Sequence, residues 1–157
     1  MRIKDILDKK GSSVITIGPQ RTVRDAIQML CAHRIGALVV QAEAGEIVGI
    51  VTERDVLREC GERCPRATAP ARPEESLCQE LVRDVMTKSV IIGMSEDSLD
   101  YVMGIMTKNR IRHLPVLEDG KLIGIVSIGD VVSAHLRETT YENRMLKDYV
   151  QGVTTAE

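Results

Sequence analysis

Hydrophobic positions along the chain change their spacing in a regular order, from strand-like to helix-like. Residues 14–17 form an extended apolar run that Gly18 and Pro19 end. Thr22 is a predicted N-cap, and the apolar residues after it recur at the spacing of one helical face. The pattern therefore predicts a short strand followed by an amphipathic helix over residues 23–33.

A predicted hairpin follows that helix. Residues 37–41 are apolar and strand-like, residues 43–45 resemble a turn that includes a glycine, and residues 46–51 form a second apolar run. A helix is expected to follow this run and to extend to about Cys60. The first half of the chain is thus predicted to fold as a β-α-β-β-α unit.

The second half repeats this order. A helix predicted over residues 77–86 leads into a strand at 90–92, and Ser98 is expected to cap a helix over 99–109. Strands are predicted at 112–117 and 121–126 on either side of a turn. The pattern ends in a long helix over 131–150, whose far end has no predicted partner within the chain.

One stretch occurs in both halves, where the last strand of each unit meets the following helix. Its copies are Gly49-Ile-Val-Thr-Glu-Arg-Asp55, the first motif, and Gly124-Ile-Val-Ser-Ile-Gly-Asp130, the second motif. They lie 124 − 49 = 75 residues apart. Before the hairpin the offset is 111 − 35 = 76 residues, between Ile35 and Ile111, so the first hairpin turn is one residue longer. A shift confined to a turn is compatible with a structural duplication.

The residue types in the motifs allow two interpretations. A hydroxyl and a carboxylate three residues apart at a helix N-terminus, after a glycine that permits close approach, could hold a ribose and phosphates. Both copies also fit a capping box, which needs no ligand. A cap does not require the glycine, and it prefers Glu or Gln at its last position. The duplication and the glycine therefore favour a binding site.

Composition shifts divide the chain into four segments. Three of the five prolines lie in residues 61–76, which are predicted to be a linker. We expect repeat 1 over residues 1–60, repeat 2 over 77–137, and a C-terminal helix and tail over 138–157.

The amino-acid composition limits both the core and the partners. The chain of 157 residues has no Trp, no Phe and three Tyr, so the core is expected to be aliphatic, with Met residues as filler. The formal net charge of −2 gives no general attraction to nucleic acid or to anionic membranes. Because no apolar run reaches transmembrane length and the N-terminus lacks a signal-peptide core, we expect a cytoplasmic protein.

Four cysteines raise the question of a metal site. Cys31 lies among apolar residues of a predicted helix and is expected to be buried. Cys60, Cys64 and Cys78 could offer three thiolates, but their spacing is not typical of zinc sites and no His lies nearby. Free thiols in a reducing compartment are the default, and no metal is predicted.

The duplicated unit and its motifs resemble the tandem CBS-domain pair, also called a Bateman module. The resemblance covers about residues 1–140 and includes Leu114-Pro115-Val116 at a strand start. It implies an α+β fold of two β-α-β-β-α repeats packed sheet to sheet with pseudo-twofold symmetry, here followed by a C-terminal helix. It also implies two clefts that take adenosine nucleotides.

The resemblance further implies which residues line these clefts, each cleft combining the motif of one repeat with strand residues of the other. One cleft would use Thr52, Arg54 and Asp55 with Arg112 and His113. The other cleft would use Ser127 and Asp130 with Thr16, Gly36 and Ala37. The second set lacks the cations of the first, so we expect weaker binding there and a larger effect of Asp55→Ala than of Asp130→Ala.

Three functions remain open on the sequence. A regulatory sensor of an adenosine ligand is expected first, with AMP ahead of ADP, ATP, NAD and S-adenosylmethionine and with an unknown downstream protein partner. An enzyme is disfavoured because the sequence has no nucleophile motif or Walker loop, and its three His residues are spread along the chain. The third is an assembly module whose motifs only cap helices.

Homodimerisation is expected as well. The predicted helices 23–33 and 99–109 have wide apolar stripes, and Tyr141, Met145 and Tyr149 recur at intervals of about one turn beyond the last repeat. The alternative is that this last helix folds back on its own repeats.

Overall fold

The structure, a computed structural model, describes residues 1–11, 13–63, 75–150 and 152. These residues form seven helices and two three-stranded sheets. In chain order the elements are α1 (Ile3–Lys10), β1 (Thr16–Ile17), α2 (Val23–His33), β2 (Ala37–Gln41), β3 (Ile47–Thr52), α3 (Glu53–Arg63), α4 (Glu75–Cys78), α5 (Val82–Val85), β4 (Gly93–Met94), α6 (Leu99–Asn109), β5 (His113–Glu118), β6 (Lys121–Ser127) and α7 (Ile128–Val150).

The chain divides into two compact units that do not follow the chain order. The first unit is residues 14–91, and the second unit combines residues 1–13 with residues 92–157. Helix α1 therefore belongs with the second motif, and helix α5 belongs with the first motif. We call α1 and α5 the lead helices. The sequence-based division into repeat 1, linker, repeat 2 and C-terminal tail refers to the duplicated pattern, and its boundaries remain predictions.

The sheet of the first unit has the order β1-β2-β3, with β1 parallel and β3 antiparallel to β2. Strand β2 has the predicted bounds, whereas β3 is displaced from the predicted 46–51 by one residue. Of the predicted run 14–17, only Thr16 and Ile17 pair with a neighbouring strand. The core between this sheet and its helices is aliphatic, as predicted, and contains Ile17, Ala26, Leu30, Leu38, Val40, Val51 and Val82.

Helix α2 begins and ends where the sequence predicts. Thr22 caps it, because its Oγ1 accepts a hydrogen bond of 3.2 Å from the backbone N–H of Asp25. At the other end Arg34 adopts the left-handed conformation, at φ 53°, which ends the helix. The second unit repeats this design with Ser98 as the cap of α6 and Arg110 at its end.

The prediction of one helix over residues 77–86 is wrong, because the described chain has two short helices there, α4 and α5. Two backbone hydrogen bonds explain the break. The Val23 N–H donates to the Glu80 carbonyl at 2.8 Å, and the Val82 N–H donates to the Arg21 carbonyl at 2.8 Å. The chain is therefore extended around residue 81, where Leu81 bridges to Thr22.

The second unit has the matching sheet order β4-β5-β6. Its first strand is at Gly93–Met94, so the prediction of a strand at 90–92 is wrong. Gly93 pairs with Val116, and a Cβ at Gly93 would lie 2.7 Å from Cδ2 of Leu114. The strand thus begins where a residue without a side chain can lie against the core.

The C-terminal helix predicted over 131–150 is present as α7, which begins at Ile128. It has 23 residues and is about 34 Å long. Its buried residues are Val131 and Ala134, both within the first two turns. Tyr141, Met145 and Tyr149 are exposed by 66%, 54% and 84%. The alternative in which this helix folds back onto the described chain is therefore wrong.

Candidate functional site

Each motif carries its aspartate in the first turn of a helix that follows directly from a strand. The Asp55 carboxylate accepts 2.8 Å hydrogen bonds from the backbone N–H and from the hydroxyl of Thr52, and the Asp55 N–H donates to the Thr52 Oγ1 at 3.3 Å. Ser127 and Asp130 make the same three bonds at 2.8, 2.9 and 3.2 Å. The capping-box interpretation is therefore confirmed as local geometry in both copies, and it fixes both carboxylates in the same orientation.

Asp55 is buried, with 4% of its surface exposed. Its Oδ2 accepts the Thr52 bonds, while its Oδ1 accepts from Arg58 at 2.9 Å and from the Thr87 hydroxyl at 3.2 Å. Both carboxylate oxygens thus have protein donors. Thr87 lies two residues after the end of lead helix α5 and pairs with Ile50 through two backbone hydrogen bonds of 2.9 and 3.0 Å.

Asp130 has more open surroundings than Asp55. Lys10, the last residue of lead helix α1, donates from Nζ to the Asp130 Oδ2 at 2.6 Å and to the Ile125 carbonyl at 3.2 Å. Burial would raise the pKa of Asp130, but hydrogen bonds from Lys10 and Ser127 outweigh it and hold that pKa below its ordinary value. The Asp130 carboxylate is therefore ionised at neutral pH and carries a direct ion pair.

The glycines at the start of the motifs have a structural reason that the sequence did not reveal. A Cβ at Gly124 would lie 2.5 Å from Cδ2 of Leu7, and a Cβ at Gly49 would overlap the thioether of Met86. Leu7 lies in lead helix α1, and Met86 directly follows lead helix α5. We call residues 3–10 and 82–87 the lead segments. In each unit a side chain of a lead segment therefore occupies the space beside the glycine. This space is not open to a ligand.

The strand-start residues expected at the site lie beside the motif of their own unit. The Gly36 carbonyl accepts from the Glu53 N–H at 3.1 Å, and the Arg112 carbonyl accepts from the Ile128 N–H at 2.8 Å. In the sheets Ala37 is paired with Thr52, and His113 is paired with Ser127. Directly paired residues project to the same face of a sheet. The structure therefore brings His113 close to the second motif.

The other two predicted site residues are on separate elements of the first unit. Thr16 lies in β1, is half-buried and pairs with Val39. Arg54 is exposed in the first turn of α3. The expected clefts combine residues of the two units, so the pairing of Asp55 with Arg112 and of Asp130 with Ala37 remains a prediction.

Sequence reasoning missed three residues that contact the motif carboxylates, Arg58, Lys10 and Thr87. It assigned no cation to the Asp130 site, whereas Lys10 forms an ion pair with that carboxylate. The expectation of weaker ligand binding there remains a prediction. A signal for Lys10 and Thr87 was present. The segments Lys4-Asp-Ile-Leu7 and Arg83-Asp-Val-Met86 echo each other, and Lys10 and Thr87 follow shortly after them.

The three cysteines that the structure describes are free thiols. The prediction that Cys31 is buried is wrong, because it is exposed on α2. Cys60 and Cys78 are half-buried free thiols, and Cys64 lies outside the described residues. No cluster of three or more potential ligands occurs in the part of the chain that the structure describes. Nor does any helix there have the length and apolar character needed to span a membrane.

Comparison with known proteins places this fold and its duplicated motif in one family. The model of the CBS domain matches residues 3–62 and 82–137. The mitochondrial CBS domain-containing protein CBSX3 of Arabidopsis thaliana is 37% identical over 96% of this chain and 72% of its own length.

Two solved structures support this assignment. The CBS-domain containing protein ATU1752 of Agrobacterium tumefaciens is 40% identical, with a TM-score of 0.76 over 85% of this chain and 92% of its own. The CBS-domain pair of the protein MJ0100, in complex with 5′-methylthioadenosine and S-adenosyl-L-methionine, is 25% identical, with a TM-score of 0.71 over 86% of this chain and 99% of its own. Two matched repeats, each with its own sheet and motif aspartate, establish that the chain belongs to the CBS-domain family as a tandem CBS pair.

Proposed function

We propose that this protein is a regulatory module that binds an adenosine nucleotide. The observation that carries the proposal is the pair of motif carboxylates, each held in one orientation at a helix start by its own strand residue. A carboxylate in this position can accept hydrogen bonds from both hydroxyls of a ribose, and the nearby helix N-terminus favours a phosphate.

The ligand class is supported by a similar protein. The CBS-domain pair of MJ0100 was solved with 5′-methylthioadenosine and S-adenosyl-L-methionine, which both contain adenosine. For the present chain we propose AMP as the first ligand to test, followed by ADP, ATP, NAD and S-adenosylmethionine. The cations Lys10, Arg112 and Arg54 near the motifs favour ligands that carry phosphate.

We propose that both motifs take part. The residues proposed for the first site are Thr52, Arg54, Asp55, Arg112 and His113. The residues proposed for the second site are Ser127, Asp130, Thr16, Gly36 and Ala37. We add Lys10 to this proposal because it forms an ion pair with Asp130. No catalytic role is proposed for any of these residues, since none is arranged as an activated nucleophile beside a base.

A second candidate function is an assembly module without a ligand. One observation favours it: both oxygens of the Asp55 carboxylate already accept hydrogen bonds from Thr52, Arg58 and Thr87. In this candidate the motifs serve only as helix caps. It predicts that no adenosine compound changes the stability of the folded protein.

We further propose that the protein is a homodimer and that α7 forms part of the contact. An isolated helix of about a dozen residues is marginal in water, so the exposed end of α7 is expected to gain stability from packing. Its apolar stripe of Tyr141, Met145 and Tyr149 fits a second copy. A cytoplasmic location also remains a proposal. The similar Arabidopsis protein is mitochondrial, so that comparison does not support it.

Thermal unfolding with a panel of adenosine compounds tests the proposal, followed by calorimetric titration of any that stabilise. We expect a micromolar dissociation constant, about −8 kcal/mol. At a hundredfold excess over that constant, a bound ligand stabilises the folded state by about 2.7 kcal/mol. Guanosine monophosphate and cytidine monophosphate are controls, because they have the same ribose and phosphate as AMP but a different base. If no compound of the panel gives a shift or heat on folded protein, the assembly-module candidate is correct instead.

A further inference from the structure

Each motif carboxylate has an ion pair, but the cation comes from a different place: Arg58 lies on the same helix as Asp55, whereas Lys10 lies on lead helix α1. The Lys10 Nζ lies 2.6 Å from the Asp130 Oδ2, with 44% of the Lys10 side chain and 24% of the Asp130 side chain exposed. In the first unit the interaction from the lead segment comes from the uncharged hydroxyl of Thr87, 3.2 Å from Asp55. The residues around the lead helices therefore contribute a cation to the second motif and an uncharged hydroxyl to the first.

The hydrogen bonds to Asp130 are unevenly distributed over its two oxygens. Lys10 Nζ, the Ser127 N–H and the Ser127 hydroxyl all donate to Oδ2. An ionised carboxylate has about four acceptor positions, two on each oxygen. Three donors crowd Oδ2, so a vicinal diol that bridges both oxygens must replace a donor there. The exposed and flexible Lys10 is the donor that is replaced most easily, since the Ser127 bonds are fixed by the helix cap.

Replacing Lys10 leaves its ammonium group without its anion. A ligand that brings a phosphate can supply a new anion within reach of the flexible lysine side chain, and charge-assisted bonds to phosphate are among the stronger hydrogen bonds in proteins. An uncharged nucleoside cannot compensate in this way. When such a nucleoside binds, the Lys10 ammonium group can interact only with water or with the Ile125 carbonyl.

We propose that Lys10 is a specificity-determining residue of the second motif, which makes that motif select phosphorylated adenosine ligands over uncharged nucleosides. This inference rests on the proposed function, and it adds the ligand class and the residue that sets it. The sheet also pairs His113 with Ser127, and Arg112 directly precedes His113 in the chain. Their counterparts in the first unit are the uncharged Ala37 and Gly36.

The test compares AMP with adenosine by calorimetric titration of the full chain. In the wild-type protein AMP is expected to bind more tightly than adenosine. In Lys10→Met that preference should fall about tenfold, the effect of one charge-assisted hydrogen bond, with adenosine binding more tightly and AMP more weakly. Lys9→Met is the matched control, because it removes the same charge one residue earlier on α1 and should leave the preference unchanged.

One further variant and one stability control assign the outcome. Asp130→Ala identifies the part of the isotherm that belongs to the second motif. Lys10→Met must also unfold with a clear midpoint, both with and without ligand, which shows that the variant is folded. If AMP binds and the preference is the same in wild type, Lys9→Met and Lys10→Met, the inference is wrong while the proposed function stands. If neither AMP nor adenosine binds the folded wild type, the proposed function itself fails.

Discussion

Asp55 and Asp130 show how one sequence motif acquires different properties from residues outside it. Each aspartate forms a capping box with the hydroxyl residue three positions earlier, as the sequence predicts. Asp55 is then enclosed by Arg58 and Thr87, whereas Asp130 faces the exposed Lys10. The difference depends on lead segments that lie 32 residues after Asp55 and 120 residues before Asp130.

Asp55→Ala is expected to destabilise the fold more than Asp130→Ala. The first substitution removes an acceptor that is 4% exposed and leaves the donors of Thr52 and Thr87 without it. Unsatisfied buried donors cost about 1–3 kcal/mol, so we expect a loss of roughly 2–3 kcal/mol for Asp55→Ala and about 1 kcal/mol for Asp130→Ala. Urea unfolding of the two variants measures the difference. Equal losses would mean that the Thr87 and Arg58 bonds add no net stability.

The sequence identifies those contacts of the motif aspartates that are local. Thr52, Asp55, Ser127 and Asp130 are found because they repeat within a motif whose chemistry is local. Lys10 is not found, because its role depends on a contact across most of the chain. Cys31 illustrates a second limit, since apolar neighbours in sequence do not determine which face of a helix is covered.

At the scale of elements, the helices with strong local signals were predicted best. Thr22 and Ser98 fix the starts of α2 and α6. The apolar spacing within those helices determines which helical face is buried. Strands β1 and β4 have two residues each and are defined by pairing with β2 and β5, which the local sequence does not encode. The break between α4 and α5 likewise depends on backbone bonds to the distant segment at residues 21–23.

The contact between each lead helix and its motif strand predicts that Gly124→Ala is destabilising. A Cβ there would meet Leu7, which is 3% exposed, at 2.5, 2.9 and 3.2 Å. Overpacking of a buried contact costs typically about 1–3 kcal/mol, which chemical unfolding can measure.

Two variants control this experiment. Gly104→Ala in α6 has open space around the new methyl group and should stabilise by about 0.5–1 kcal/mol, as expected for alanine in a helix. Adding Leu7→Ala to Gly124→Ala should cost less than the sum of the two single substitutions, because it removes the clash. An additive double variant would show that Leu7 does not press on this glycine.

At the scale of the whole molecule, the exposed end of α7 is expected to contribute to dimerisation. Truncation after Arg137 removes Tyr141, Met145 and Tyr149 but keeps the buried Val131 and Ala134. We expect light scattering to give a dimer mass for the full chain at micromolar concentration and a substantially weaker dimer for the truncated chain. A monomeric full chain would end the dimer proposal, and an equally tight truncated dimer would place the main contact elsewhere.

The central claim is that the motif carboxylates bind the two ribose hydroxyls of an adenosine nucleotide. Calorimetric titration with AMP and with its 2′,3′-dideoxy analogue tests this claim most directly, because the two ligands share base and phosphate and differ only in the hydroxyls. We predict that the dideoxy analogue binds at least tenfold more weakly, since hydrogen bonds to a charged acceptor contribute about 1.5–3 kcal/mol. Equal affinity for the two ligands would contradict the claim and would assign the carboxylates to helix capping alone.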